Sequence, residues 1–494
     1  MEKQLSLEEI QNFEGKYPKQ LWMLFLTEMW ERFCFYGMRG ILTIFMVGQL
    51  TLTDKEANLK YGAIQAFVYA FTFIGGIFAD KILGFKKSLF FGGITMILGN
   101  LLIAVSPHEF FYLGITLSII GTGFFKPNIS SMVGELYHEK DGRRDAGFSL
   151  FYSGINIGAF LGGILCVYLG KYHSWSYAFL ASAIVMIIGL VTFVFTKKHL
   201  GPIGNSPLLN LTTSKRRIRE IAVYIGSLLS IPLIFIMVKD TDYTDAFMYT
   251  IGPLAMIYFF YEMYKIGNWA SQKKLIAAFI FILFYLFFNA FFEQSGGSLN
   301  LFAENNLHHH LISIPMDPNF INNSANSLFV IVFSPLVGIL WIAMYKRKIE
   351  PNTVIKFGIG FLFLALAFYV FYYTRFFANA EGVTSLNVFT IAYLIITFGE
   401  LCLGPIGMSI VTKLSPKPMY GMMMGLWFLA SAYGQYAAGI FGADMSTDDN
   451  NASLLVKLQA YTDGYKHLAI YALVCGILLI VASPLIRKLM ADVK

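Results

Sequence analysis

Seven ionisable side chains stand within otherwise apolar stretches: Glu28, Glu31, Arg32 and Arg39 near the start, then Lys126, Glu293 and Glu400. A charge at the centre of a membrane helix costs about 2.5–3.5 kcal/mol, so such a set costs roughly 20 kcal/mol unless its members face one another or water. The carboxylates outnumber the cations by one, and a single added proton would make the set neutral. That is a first hint of proton coupling. At 100° per residue, Glu28, Glu31, Arg32, Tyr36 and Arg39 fall within an arc of about 140° on one helix face, rising about 16 Å. A purely structural role, ion pairs that hold helices together, explains one pair well. It explains a large set with an unmatched carboxylate poorly.

The elements that must position these groups are membrane spans. The 494 residues are 56% apolar and only 14% charged, against about 45–50% and 25% for a soluble domain. Apolar runs of about 20 residues, the length that crosses a hydrocarbon core, recur along the chain. The fold class is an all-α polytopic membrane protein; disorder, a disulfide scaffold and a soluble enzyme are excluded. Cys34, Cys166, Cys402 and Cys475 sit in apolar runs and read as small buried hydrophobes. The polar opening segment carries no signal-peptide pattern.

Fourteen spans are expected, near residues 20–50, 57–80, 86–106, 109–134, 145–170, 174–196, 218–238, 245–268, 275–300, 322–346, 351–374, 387–414, 419–443 and 465–490. Both termini then share a side. Most of the 37 Lys and Arg fall on that side, with Lys55, Lys60, Lys171, Lys239, Arg375, Lys457 and Lys466 opposite. By the positive-inside rule both termini are cytoplasmic, and the net charge of +7 needs no nucleic acid to explain it. The loop near 197–217, with Gly201, Pro202, Gly204 and Pro207 before a basic run, reads as a linker. The expected domains are 1–197, a six-helix bundle; 198–274, linker and two inserted helices; and 275–494, a second six-helix bundle. Two six-span halves suit a rocking secondary transporter.

The stretch Glu28-Met29-Trp30-Glu31-Arg32-Phe33-Cys34-Phe35-Tyr36-Gly37 resembles the ExxERFxYYG motif of the proton-dependent oligopeptide transporters, a bacterial-type branch of the major facilitator superfamily. Gly75 to Lys87 resembles the superfamily's loop between spans two and three. Gly121 to Asn128 is similar to the fourth-span motif, and Phe151 to Gly158 to the FYxxINxG signature. Glu293-Gln294 and Gly399-Glu400 with Pro405 are similar to the seventh- and tenth-helix positions.

The resemblance implies a major facilitator fold of two six-helix bundles plus two inserted helices, and a symporter that imports di- and tripeptides by alternating access. Protons are the coupling ion, with no cofactor and no metal. It implies proton coupling by Glu28, Glu31, Arg32 and Glu293. Arg32 and Lys126 would face the peptide carboxylate, while Glu400, Asn156 and Asn326 hold its amino terminus. Tyr36, Tyr69 and Trp427 would line side-chain pockets. Arg39 with Glu293 would form an outer gate, and Lys126 with Glu400 a substrate-sensitive bridge. A monomer in the cytoplasmic (inner) membrane, binding small peptides and no nucleic acid, completes the expectation. Two positions depart from the pattern: Phe35 replaces a usual tyrosine, and Asn289 stands where an aromatic is usual.

Rival classes find little support. His108-Glu109 lacks the second histidine of a zinc-protease HExxH pattern. There is no GxSxG elbow and no GxxxxGK[ST] phosphate loop. The alternative within the same fold is proton-coupled transport of another small solute, such as nitrate or an amino-acid conjugate.

Overall fold

Hydrocarbon offers a backbone no hydrogen-bond partners, so a chain this apolar satisfies its amides within helices. The computed structural model describes residues 5–138, 140–416, 419–449 and 451–490. The side chain of Pro405, part of the tenth-helix match, lies outside what is described. In chain order the helices are α1 (Leu7–Gln11), α2 (Lys19–Gly48), α3 (Asp54–Phe78), α4 (Phe85–Val105), α5 (Pro107–Glu135) and α6 (Arg144–Tyr172). Next come α7 (Trp175–Thr196), α8 (Thr213–Leu229), α9 (Ile231–Lys239), α10 (Thr241–Lys265), α11 (Trp269–Phe292) and α12 (Ser298–Asn306). The last are α13 (Pro318–Lys346), α14 (Thr353–Tyr373), α15 (Leu386–Leu414), α16 (Tyr420–Asp444) and α17 (Leu454–Met490). A two-residue hairpin, His310–Leu311 with Ile314–Pro315, occupies the loop after α12.

Among the described residues, 11 helical stretches are long and apolar enough to cross a membrane. The chain is an all-α polytopic membrane protein. Helix α2, with 30 residues, has the length but not the apolarity, because Glu28, Glu31, Arg32 and Arg39 interrupt it. Side-chain caps start several helices: Asn268, Asp317, Asn352 and Ser385 each accept a backbone N–H at the head of α11, α13, α14 and α15.

Three features depart from simple spans. A π-helical turn, Ala79–Leu83, ends α3. Pro232 follows the break between α8 and α9, where it has no N–H to bond a carbonyl of the preceding turn. A 3-10 turn, Glu293–Gly296, separates α11 from α12. Helix α17 also begins at Leu454, well before the expected 465. Its polar first turns, with Lys457, Gln459 and Asp463, read in sequence as loop.

The chain divides into two units: one runs to Ile41 and resumes over Phe67–Lys239, and the other holds Leu42–Ala66 and everything from Asp240. Within the first, α4 packs on α5 and α7. Gly99 of α4 meets Gly114 of α5 so closely that a Cβ on Gly99 would lie 2.5 Å from the Gly114 carbonyl oxygen. Small residues at such contacts let helix backbones approach, the usual basis of packing in lipid. Lys87 of α4 donates to both carboxylate oxygens of Glu220 at 2.6 and 2.7 Å and so fastens α8. In the α5–α6 loop, Arg143 donates to the Phe13 and Gly15 carbonyls at 3.1 and 3.0 Å. Its hydrogen bonds also hold the Asp141 carboxyl below the usual range.

Within the second unit, α14 packs on α15 and α17, and α11 on α16. Helix α10 is fastened to α16: Tyr436 donates to Asp245 Oδ1 at 2.5 Å, and Tyr433 to the Met248 carbonyl.

Gly99→Ala therefore forces α4 and α5 apart and costs about 1–3 kcal/mol. Thermal unfolding in detergent should show a lowered midpoint. Gly226→Ala, where a Cβ meets nothing within 4 Å, should leave the midpoint unchanged or raise it.

Candidate functional site

In the first unit, the charged stripe on α2 is closed on itself. Arg32 Nε lies 3.2 Å from Glu28 Oε1, one turn earlier, and the guanidinium also pairs with Glu31. All three side chains are buried, with Glu31 fully so. Each carboxylate keeps one oxygen, Glu28 Oε2 and Glu31 Oε1, without a hydrogen-bond partner. The spacing i, i+3, i+4 makes this possible, since those positions are neighbours on a helix surface.

Helix α6 presses on the same turns of α2. A Cβ on Gly154 would lie 2.8 Å from the Phe25 ring, and one on Gly158 would come to 3.0 Å of Arg32 Cβ. Gly162 meets the Phe33 backbone in the same way. The four-residue glycine spacing explains the glycines of the α6 motif: any larger residue would lift α6 off the buried charges. Asn156, on the other face of α6, is buried, its Nδ2 donating to the Tyr152 carbonyl at 3.0 Å.

Aromatic rings lie beside the cations. Arg32 lies 5.2 Å from the Phe35 ring centroid, and Lys126 lies 4.2 Å from that of Tyr69 and 5.8 Å from that of Phe35. Arg39 lies 5.7 Å from the Tyr36 ring. Cations over ring faces gain electrostatic attraction, more so when desolvated. Phe35 thus neighbours both Arg32 and Lys126 and has no hydroxyl to offer either. Lys126 precedes Pro127 within α5. Proline has no N–H to donate, while the next side chain, Asn128, donates to the Phe124 carbonyl at 2.6 Å.

In the second unit, Asn326 Nδ2 donates to Glu400 Oε2 at 2.9 Å and contacts Thr397 Oγ1 at 3.1 Å. The α13 amide thereby orients the α15 carboxylate. Trp427 of α16 stacks on Tyr285 of α11, 3.8 Å between centroids and 15° between planes. Asn289 donates to the Tyr285 carbonyl at 2.8 Å, and a Cβ on Gly434 would lie 2.5 Å from Asn289 Cβ. Helices α11 and α16 are thus in close contact at this level.

Glu293 is buried at the 3-10 break. The break is held by amides. Gln294 Nε2 donates to the Ala290 and Ala438 carbonyls at 3.2 and 3.0 Å. Asn300 Oδ1 accepts from the side chains of Asn319, Asn322 and Asn323 at 2.9, 3.0 and 3.1 Å. Asn322 also donates to the Ser295 carbonyl at 2.7 Å and accepts from Tyr393 at 2.6 Å.

The structure thus brings Glu28, Glu31 and Arg32 together, groups Lys126 with Tyr69, Arg39 with Tyr36, and joins Asn326 to Glu400. Arg39 and Lys126 belong to one unit, and Glu293 and Glu400 to the other.

Several side chains escaped the sequence reading. Tyr285 stands four residues before Asn289 and eight before Glu293, on one helix face, and that spacing was a readable signal. A buried ion pair in the second unit carried none: Lys457 Nζ lies 3.2 Å from Asp54 Oδ2, with exposures of 8% and 1%. Tyr461 donates to the same oxygen at 3.0 Å. Lys457, expected in a loop, is instead in the first turn of α17.

Residues 86–456 match the family model PTR2, described as the POT family. The chain is 33% identical to Peptide transporter YePEPT of Yersinia enterocolitica, over 96% of this chain and 95% of that protein. It is 29% identical to Dipeptide and tripeptide permease A of Serratia proteamaculans, over 97% and 93%. Among solved structures it is similar to a variant of peptide transporter POT in complex with alafosfalin, at TM-score 0.85 and 30% identity, over 99% and 100% of the two chains. A POT family transporter in complex with 5-aminolevulinic acid gives TM-score 0.83 at 27% identity, over 98% and 100%.

Asp54→Asn leaves Lys457 buried without its counter-charge, and breaking such a pair costs about 3–5 kcal/mol. The thermal midpoint in detergent should fall, and Lys457→Met added to Asp54→Asn should recover much of the loss.

Proposed function

Since the chain belongs to the POT family, we propose that it is a proton-coupled symporter that imports di- and tripeptides by alternating access. The observation that carries this reading is the buried Glu28–Glu31–Arg32 cluster beside Lys126 and its aromatic neighbours. A peptide zwitterion presents an amine and a carboxylate, with variable side chains between. Arg32 and Lys126 suit the carboxylate; Glu400, oriented by Asn326, suits the amine together with Asn156. Charge-assisted hydrogen bonds to these termini are strong where water is excluded. Tyr36, Tyr69 and Trp427 would then line the walls that meet peptide side chains.

Coupling follows from competition for one guanidinium. With Glu28 and Glu31 both ionised, Arg32 is paired with two carboxylates of its own helix. A proton on either carboxyl, each having an oxygen free to take it, releases the guanidinium to a peptide carboxylate. By the same logic, Arg39 with Glu293 would serve as an outer gate, and Lys126 with Glu400 as a bridge that substrate replaces.

Peptide transport is also the activity in the names of relatives, and alafosfalin and 5-aminolevulinic acid are ligands of similar structures. The second of these ligands joins an amine and a carboxylate without a peptide bond, which keeps a small amino-acid conjugate as the alternative substrate. Further parts of this reading are a cytoplasmic-membrane location, both termini cytoplasmic, fourteen spans with the inserted pair between two six-helix halves, a monomer, and protons as the sole coupling species.

The direct test is uptake of labelled dialanine into proteoliposomes under an imposed pH gradient. Accumulation that an uncoupler abolishes supports the proposal; equilibration without accumulation contradicts it. Glu31→Gln should abolish pH-driven uptake yet preserve peptide counterflow, whereas equal loss of both would assign Glu31 a structural role. Lys126→Ala should raise KM most for zwitterionic peptides, and unchanged kinetics would remove it from the substrate site.

A further inference from the structure

Along α4, Lys86, Phe90 and Ile94 follow at four-residue spacing and so share a helix face. With Lys87, Lys197 and Tyr224 they line a cavity of about 400 Å3 in the first unit. Three lysines are among its lining residues, and among the described residues no Asp or Glu is. Lys86 Nζ donates to neutral acceptors, the Gly201 carbonyl at 2.6 Å and Asn205 Oδ1 at 3.0 Å, which carry no charge to offset its own. Glu135 attracts that charge and Lys197 repels it. Lys87 is matched by Glu220, yet Arg216 also approaches that carboxylate at 3.7 Å, so one anion answers two cations. Lys197 lies 5.6 Å from the Phe90 ring centroid, just past the end of α7. The cavity is therefore cationic.

Its chemistry is graded. Lys86 and Lys87 lie in the first turn of α4, at the bundle end where Lys and Arg collect and where headgroups meet the protein. One turn deeper is Phe90 and a further turn deeper Ile94, 37% and 38% exposed. Charge gives way to aromatic and then aliphatic surface over about 12 Å. A soluble phosphate would leave the aromatic and aliphatic wall wetted. A diacyl lipid covers all of it.

We propose that this cavity binds an anionic phospholipid, its phosphate against Lys86 and Lys197 and its glycerol and upper acyl chain along Phe90 and Ile94. The bound lipid touches α4, α7 and, through Tyr224, α8, so it mortars the first inserted helix onto the bundle.

The test uses the full-length protein, purified in detergent and stripped of lipid. Phosphatidylglycerol, phosphatidylcholine and inorganic phosphate are added in separate titrations, with retention read by native mass spectrometry and stability by thermal midpoint. Phosphatidylglycerol should be retained in preference to phosphatidylcholine and should raise the midpoint, while phosphate at the same concentration should not. Lys197→Gln should weaken phosphatidylglycerol binding about fivefold, the worth of one basic residue near an anionic lipid, with the lipid-free midpoint unchanged. Lys86→Gln should weaken it as well, and Lys197→Arg should retain it. Equal retention of the two lipids, undiminished affinity in both glutamine variants, or a phosphate effect equal to that of phosphatidylglycerol overturns the proposal.

Discussion

Taken out of water, an isolated carboxylate or guanidinium loses several kcal/mol of solvation, and helix α2 carries two of the former and one of the latter within little more than a turn. Mutual pairing is what lets them stay charged in a helix that must cross the membrane. The rest of the first unit accommodates that cluster. Glycines at 154, 158 and 162 bring α6 down onto it. Rings at Phe35, Tyr36 and Tyr69 lie beside the cations and offer them their faces. Two carboxylates share one guanidinium, so the cluster is anionic when all three are charged, an imbalance that a hydrophobic substitute would not carry.

Much of this was legible in the sequence, and the reason is periodicity. Ionisable residues at three- and four-residue spacing in an apolar helix point to one face by spacing alone, and α2 bears them so. Helix positions were equally readable, because uninterrupted apolar runs have few other interpretations. What stayed hidden were pairings between distant segments and polar residues that turn out buried. Asp54 and Lys457 are separated by most of the chain, and neither has a nearby residue in sequence that points to the other. The break at Glu293 has no proline to announce it. The Tyr285–Trp427 stack disappears among 48 Phe and 28 Tyr, where composition makes any one ring unremarked.

The two inserted helical segments also could not be placed from hydropathy, since both read as ordinary spans. Their polar fasteners differ. An ion pair from Lys87 to Glu220 secures α8 within the first unit, and tyrosine hydroxyls of α16 secure α10 within the second. Helix α8 thus falls in the first unit and α10 in the second.

The hub at Asn300 has one more implication. Its hydrogen bonds join Asn319, Asn322 and Asn323, with Tyr393 and backbone carbonyls at the margin. Carboxamides neither gain nor lose protons across the range in which a carboxylate titrates. The 3-10 break that carries Glu293 is thus held through Asn322 and the Ser295 carbonyl by groups whose charge is the same in acid and in neutral medium, so the shape of that break does not change with acidity.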